Sequence, residues 1–182
     1  MKILAVDPDR KGGFAIVSTL PGQKPVVLRS GLTGTKTRDD KGRWCYEPCT
    51  PNVMFAIIKK ERPDALVVEG VFTSFNKGNQ LLMKLGFSWE VIGDMILGDH
   101  KVHRMNARHW RKIVGVPTTG SKSGTSKAAK KIQEMIALAA ENLVDCIDPR
   151  KKHLREEGVC QFEDSEADAI CMAVAFARER GY

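Results

Sequence analysis

The sequence predicts an α/β fold: a central mixed sheet, made of an antiparallel hairpin meander plus parallel strands, with helices flanking it. Two apolar runs, Ile3–Val6 and Phe14–Thr19, are joined by a Gly-containing turn and followed by a third run at Pro25–Arg29, which is the pattern of a meander. A helical stretch then ends at Pro63 and leads into the β-rich run Ala65-Leu66-Val67-Val68, so strand and helix begin to alternate. The last 20 residues carry Ala167, Ile170, Cys171, Val174 and Ala175 at helical spacing, an apolar face suited to lie on a sheet.

The elements follow in order. Residues 31 to 50 are polar and Gly-rich, carry Trp44 and Tyr46, and read as an irregular connection that is long enough to be functional. Thr50 or Asn52 can cap a helix running to about Arg62, with Val53, Ile57 and Ile58 on one side. Asn79 to Leu97 predicts a long helix whose apolar residues cover more than one stripe, and Gly86 and Gly93 would let another helix approach closely. This reads as a helix of a homodimer interface, the alternative being a central helix sandwiched within one subunit. A strand at Lys101–Met105, a short helix at Ala107–Ile113, a loop at Gly115–Gly124, an Ala- and Lys-rich helix at Ser126–Leu143 and a charged connection at Asp145–Cys160 lead to the final helix, Asp164 to Arg180.

At 182 residues the chain is expected to form one domain, 1–182, and to bury roughly 70% of the surface its unfolded form would expose. No apolar run approaches the roughly 20 residues that a bilayer helix needs. Folding is expected to start at residue 3, which leaves no room for a cleaved address unless an organelle presequence has already been removed. Five cysteines without a scaffold spacing read as reduced thiols, and Cys45 and Cys49 lack the further close pair that structural zinc would need. The net charge of +7 is concentrated: Lys101 to Gln133 holds nine Lys or Arg and no Asp or Glu. Such a segment predicts a polyanionic partner and salt-dependent association.

Four acids stand at strand and helix ends. Asp7 closes the first apolar run and Glu69 closes the run at 65–68, while Asp164 and Asp168 lie four apart on one face of the final helix. Taken singly, Asp164 reads as an N-cap, and Ser165 with Asp168 reads as a capping box. Together, clustered carboxylates raise one another's pKa unless a cation intervenes, and Mg²⁺ prefers oxygen ligands of this kind. Four acids, a basic segment and no thiol or histidine cluster point to a metal-dependent nuclease, for which a pair of ions is the usual arrangement.

The order of a hairpin with Asp7, a strand with Glu69 and a terminal helix with Asp164 and Asp168 resembles the RuvC group of Holliday junction resolvases, within the ribonuclease H-like superfamily. The stretches Leu66–Phe72 (LVVEGVF), Trp110–Val116 (WRKIVGV) and Glu166–Ala175 (EADAICMAVA) fit that pattern over nearly the whole chain. Ile3–Gly13 and Gly86-Phe87-Ser88 are similar in particular to the monokaryotic chloroplast resolvases. The resemblance implies metal ligands at Asp7, Glu69 and Asp168, with Asp164 as the fourth and Glu166 as its competitor. The bacterial group often spaces the final pair by three, and the plastid branch has a histidine at the fourth position. Asp9 would be a turn residue or a supporting one. A base-probing aromatic is implied at Phe72, with Phe75 as the alternative. DNA contacts are implied for Arg111, Lys112, Lys122, Lys127 and Lys130, of which Lys127 best matches a lysine that the family keeps at the start of its helix.

The activity so implied is Mg²⁺- or Mn²⁺-dependent cutting of four-way DNA junctions by symmetric paired nicks, with two ions per site and 5′-phosphate products. A two-fold junction calls for a homodimer. Expected locations are the cytoplasm, as for a bacterial or phage protein, or the plastid stroma. Gly115-Val-Pro-Thr-Thr-Gly120 resembles a phosphate-binding loop but has serine where that motif needs lysine, so no nucleotide cofactor is expected. The rivals are a related nuclease acting on RNA–DNA hybrids and a DNA-binding architectural module that does not cut.

Overall fold

The computed structural model of the protein describes residues 1–70, 77–116 and 163–182. Strands β1 (Lys2–Asp7), β2 (Gly13–Ser18) and β3 (Val26–Leu32) form the expected meander, and β4 (Thr35–Arg38) and β5 (Trp44–Glu47) follow it. Helix α1 (Pro51–Glu61) precedes β6 (Ala65–Gly70), and helix α2 (Lys77–Leu97) leads through a 3₁₀ turn at Asp99–Lys101 to β7 (Val102–Asn106). Helices α3 (Ala107–Val114) and α4 (Asp164–Glu179) complete the described elements. The loop and helix expected between 115 and 160 fall almost wholly outside the described residues, as do Phe72, Phe75, Lys122, Lys127 and Lys130.

Five strands make one mixed sheet in the order β3-β2-β1-β6-β7. β1 is antiparallel to β2 and parallel to β6, and β6 is parallel to β7. Strand alternation divides the interior into two layers. Ile3, Ala5, Ala65 and Val67 face a cluster with α3 and α4, whereas Leu4, Val6, Leu66 and Val68 face a cluster with α1 and α2. α4 is buried nearly all round from Ala169 to Ala177, and its many alanines let it lie close to β1 and β2. None of the described helices is long and apolar enough to cross a membrane.

Three expectations change. Residues 31 to 50 are not simply irregular, because β4 and β5 pair as a separate two-stranded ribbon whose turn is held by Asp39. On α1 the buried residues are Met54 and Ile58, one turn apart on the side that packs on the sheet, while Val53 is exposed. Gly86 and Gly93 do not face another helix. A Cβ on Gly93 would meet Val102 Cγ2 at 3.0 Å and overlap Leu66, and one on Gly86 would lie 3.6 Å from Pro8 Cγ, so both glycines bring α2 onto the sheet of its own chain. The other side of α2 leaves Met83, Phe87, Val91 and Met95 exposed at four-residue spacing, so in the described structure its second apolar stripe is not sandwiched within the subunit.

Gly13 governs the entry of α4. A Cβ there would overlap the Ser165 carbonyl group and stand 2.6 Å from the Glu166 nitrogen, both backbone atoms that cannot swing aside. Gly13→Ala is therefore expected to destabilise the fold by roughly 1–3 kcal/mol, measured by urea unfolding.

Candidate metal centre

The parallel pairing of β1 with β6 aligns Val6 with Val68, so the next residues forward, Asp7 and Glu69, end their strands side by side. Both have the parity of Ala5 and Val67, so both side chains point to the layer that holds α3 and α4. α4 supplies Asp168 to the same place, and its Ser165 hydroxyl donates a hydrogen bond to Asp7. From α3, the Trp110 indole N–H donates to Glu69 Oε1 at 3.0 Å, and Arg111 Nη2 stands 3.9 Å from Asp168 Oδ2. Asn106 positions α3 by accepting from the Arg108 amide as its N-cap.

The electrostatics are those of crowded acids. Burial pushes the Asp7 carboxyl well above the usual range, and the charges of Glu69, Asp168 and Asp9 push it further, against the Ser165 hydrogen bond. Burial also raises Glu69, opposed by the Trp110 hydrogen bond, the Arg111 charge and a hydrogen bond with Asp7.

Of the four expected ligands, Glu69 and Asp168 interact directly with Asp7. Asp7, Glu69 and Asp168 come together, with Asp9 within electrostatic reach of the first two. Asp164 begins α4 at an exposed position and interacts electrostatically with Lys11, whose ammonium is paired with Glu163. Glu163, not Asp164, is the N-cap residue of the helix. Glu166 is 2% exposed and accepts from Ser30 Oγ of β3 at 2.5 Å, which ties it to the far side of the hairpin. Arg111 is at the site, and Lys112 lies on the same short helix in its last turn. Trp110 and Ser165 were missed as site residues. Ser165 reads as part of a capping box and Trp110 opens a stretch singled out by the resemblance without a role of its own, and their contacts to the acids depend on how α3 and α4 meet the sheet.

An all-carboxylate set suits a hard divalent cation and offers nothing to a soft one. Among the described residues no three His, Cys, Asp or Glu side chains are grouped closely enough to hold an ion as they stand. The fit is thus one of donor chemistry, centred on the Asp7–Glu69 pair with Asp168 beside it.

A carboxyl with a raised native pKa binds more protons folded than unfolded, so stability falls as pH rises from the ordinary carboxylate range, near pH 4, through the raised native values. Metal-free protein is expected to melt at a lower temperature at pH 7 than at pH 5, and Asp7→Asn to flatten this slope and raise the neutral-pH Tm, as read by calorimetry. Trp110→Phe removes the donor to Glu69 and is expected to weaken Mn²⁺ affinity by about tenfold in a calorimetric titration.

No family model matches the chain, and no curated protein matches it. Solved structures do. Thermus thermophilus RuvC in complex with a Holliday junction substrate superposes with a TM-score of 0.60 at 14% identity, covering 100% of this chain and 97% of that one. A second Thermus thermophilus RuvC structure gives 0.57 at 15%, with the same coverage. The yeast mitochondrial Holliday junction resolvase gives 0.53 at 11%, covering 97% of this chain and 78% of that one. At these identities the likeness is one of architecture: the chain has a RuvC-like fold of the ribonuclease H type, built on a mixed five-stranded sheet.

Proposed function

We propose that the protein is a divalent-metal-dependent endonuclease that resolves four-way DNA junctions. The observation that carries this reading is the meeting of Asp7, Glu69 and Asp168 at the ends of β1, β6 and the first turns of α4. Support comes from the RuvC-like fold and from the run of nine basic residues between Lys101 and Gln133, which suits a polyanion. We read the motif likeness of Ile3–Gly13 and Gly86–Ser88 to the plastid branch of resolvases as further support.

Asp7, Glu69 and Asp168 would hold Mg²⁺ or Mn²⁺, with Asp164 as a further ligand on the helix turn before Asp168. When bound, such ions supply Lewis-acid activation of water and charge stabilisation at the leaving oxygen, the chemistry that yields 5′-phosphate ends. The protein's own groups do the positioning. Trp110 holds one Glu69 oxygen, Ser165 holds Asp7, and Arg111 offsets the negative charge beside Asp168. The exposed stripe of Met83, Phe87, Val91 and Met95 on α2 supports a homodimer, which would present two such centres to the two equivalent strands of a junction. In this reading Phe72 or Phe75 probes the opened bases, and Lys112, Lys122, Lys127 and Lys130 contact phosphates.

The test is cleavage of a mobile four-way junction against matched duplex, with Mg²⁺ and then with EDTA. Junction-selective paired nicking that EDTA abolishes, and that Asp7→Asn reduces by at least about 10³-fold while junction binding persists, is the expected result. Equal cutting of both substrates, or none, removes the resolvase reading.

A further inference from the structure

The β4–β5 ribbon stands outside the five-stranded sheet, and its two faces differ in chemistry. Lys36 pairs with Tyr46 and Arg38 with Trp44, so strand alternation gathers these four side chains on one face and leaves Thr35, Thr37, Cys45 and Glu47 on the other. Trp44 is 61% exposed. The Lys36 ammonium lies 4.9 Å and the Arg38 guanidinium 4.6 Å from its ring centroid, and the Lys11 ammonium lies 5.5 Å from that of Tyr46. Rings interleaved with cations on an open surface match a nucleic-acid strand, whose base faces stack on the rings and whose phosphates take the cations.

The ribbon is also ordered and anchored beside the metal centre. Asp39 Oδ1 accepts from the amides of Lys41 and Arg43 at 3.0 and 2.9 Å, and Arg43 closes the turn with an ion pair to Asp39 at 2.7 Å. At its base, the Thr33 amide donates to the Gly12 carbonyl at 3.1 Å and the Gly34 amide to the Lys11 carbonyl at 2.8 Å. Those acceptors belong to the turn that follows Asp7. The base of the ribbon is therefore tied to the turn that follows the strand carrying the central acid, and Lys11 of that turn also reaches the Tyr46 ring.

We infer that the β4–β5 ribbon is a strand-binding arm of the active site, on which an unpaired base of the DNA substrate stacks on Trp44 while Lys36 and Arg38 contact the flanking phosphates. This rests on the proposed junction-cutting function and adds to it a contact that none of the expected DNA-binding residues supplies.

The experiment uses the full chain in EDTA, where nothing is cut, with a fluorescent four-way junction containing unpaired nucleotides at its centre. Trp44→Ala is expected to weaken binding by about tenfold, and Trp44→Phe to recover most of the loss, because any aromatic ring can stack. The Lys36→Ala/Arg38→Ala double variant is expected to lower the salt dependence of log Kd by about two phosphate contacts. Trp89 and Trp110 are buried, so tryptophan quenching reports on Trp44, and single-stranded DNA should quench it while poly-glutamate does not. Wild-type affinity in both variants, with junction cutting intact, overturns the arm alone. Quenching by poly-glutamate equal to that by DNA assigns the face to an acidic peptide and also overturns it. Failure of the unaltered chain to bind any branched DNA overturns both the arm and the function on which it rests.

Discussion

Parallel pairing of β1 with β6 is the constraint on which the site depends. It brings two carboxylates to the same height and, through the two-residue period of a strand, to the same face of the sheet. A slip of one residue in either strand would turn one acid to the opposite layer, where α1 and α2 pack. The register is secured by fully buried residues on both faces of β1 and β6, so the apolar core sets the distance between the acids. Burial raises both carboxyls, and the charges of Glu69, Asp168 and Asp9 raise Asp7 further, so a cation placed among them would relieve the repulsion.

The third acid reaches this pair because α4 can lie directly on the hairpin. The missing side chain at Gly13 admits the backbone of Ser165 and Glu166, and the alanines of α4 keep the rest of the helix close. Two neighbouring polar residues then take opposite tasks. Ser165 turns to Asp7, and Glu166 turns to Ser30, where it fastens the helix start to β3. A buried acid at the head of a catalytic-looking helix here has a structural partner of its own.

The opposite layer shows a related division. Gly86 and Gly93 draw α2 onto β6 and β7, and Leu85 and Trp89 fill the space beside them. Once that face is spent on the sheet, the exposed methionines, Phe87 and Val91 have no partner within the described residues. The ribbon of β4 and β5 is a second surface of this sort, with rings open to solvent and cations against them.

The mixed sheet and the strand-end places of Asp7 and Glu69 were legible in the sequence because an apolar run that ends in a carboxylate keeps its meaning whatever surrounds it. Asp168 was legible only as one of two acids on one face of the final helix. The ribbon was missed because four-residue polar strands leave only a faint alternation, Lys-x-Arg and Trp-x-Tyr, around an Asp-rich turn. The choice between Asp164 and Glu166 could not be read from spacing, since both belong to the first turn of one helix and differ only in direction. Tertiary structure decided what depends on a neighbour distant in sequence: the indole on Glu69, the serine on Asp7, the burial of Glu166 against Ser30, and the side of α2 on which its glycines lie. Local pattern determines which residues can end a strand or face a core, but which group each one then meets is set only when the helices dock on the sheet.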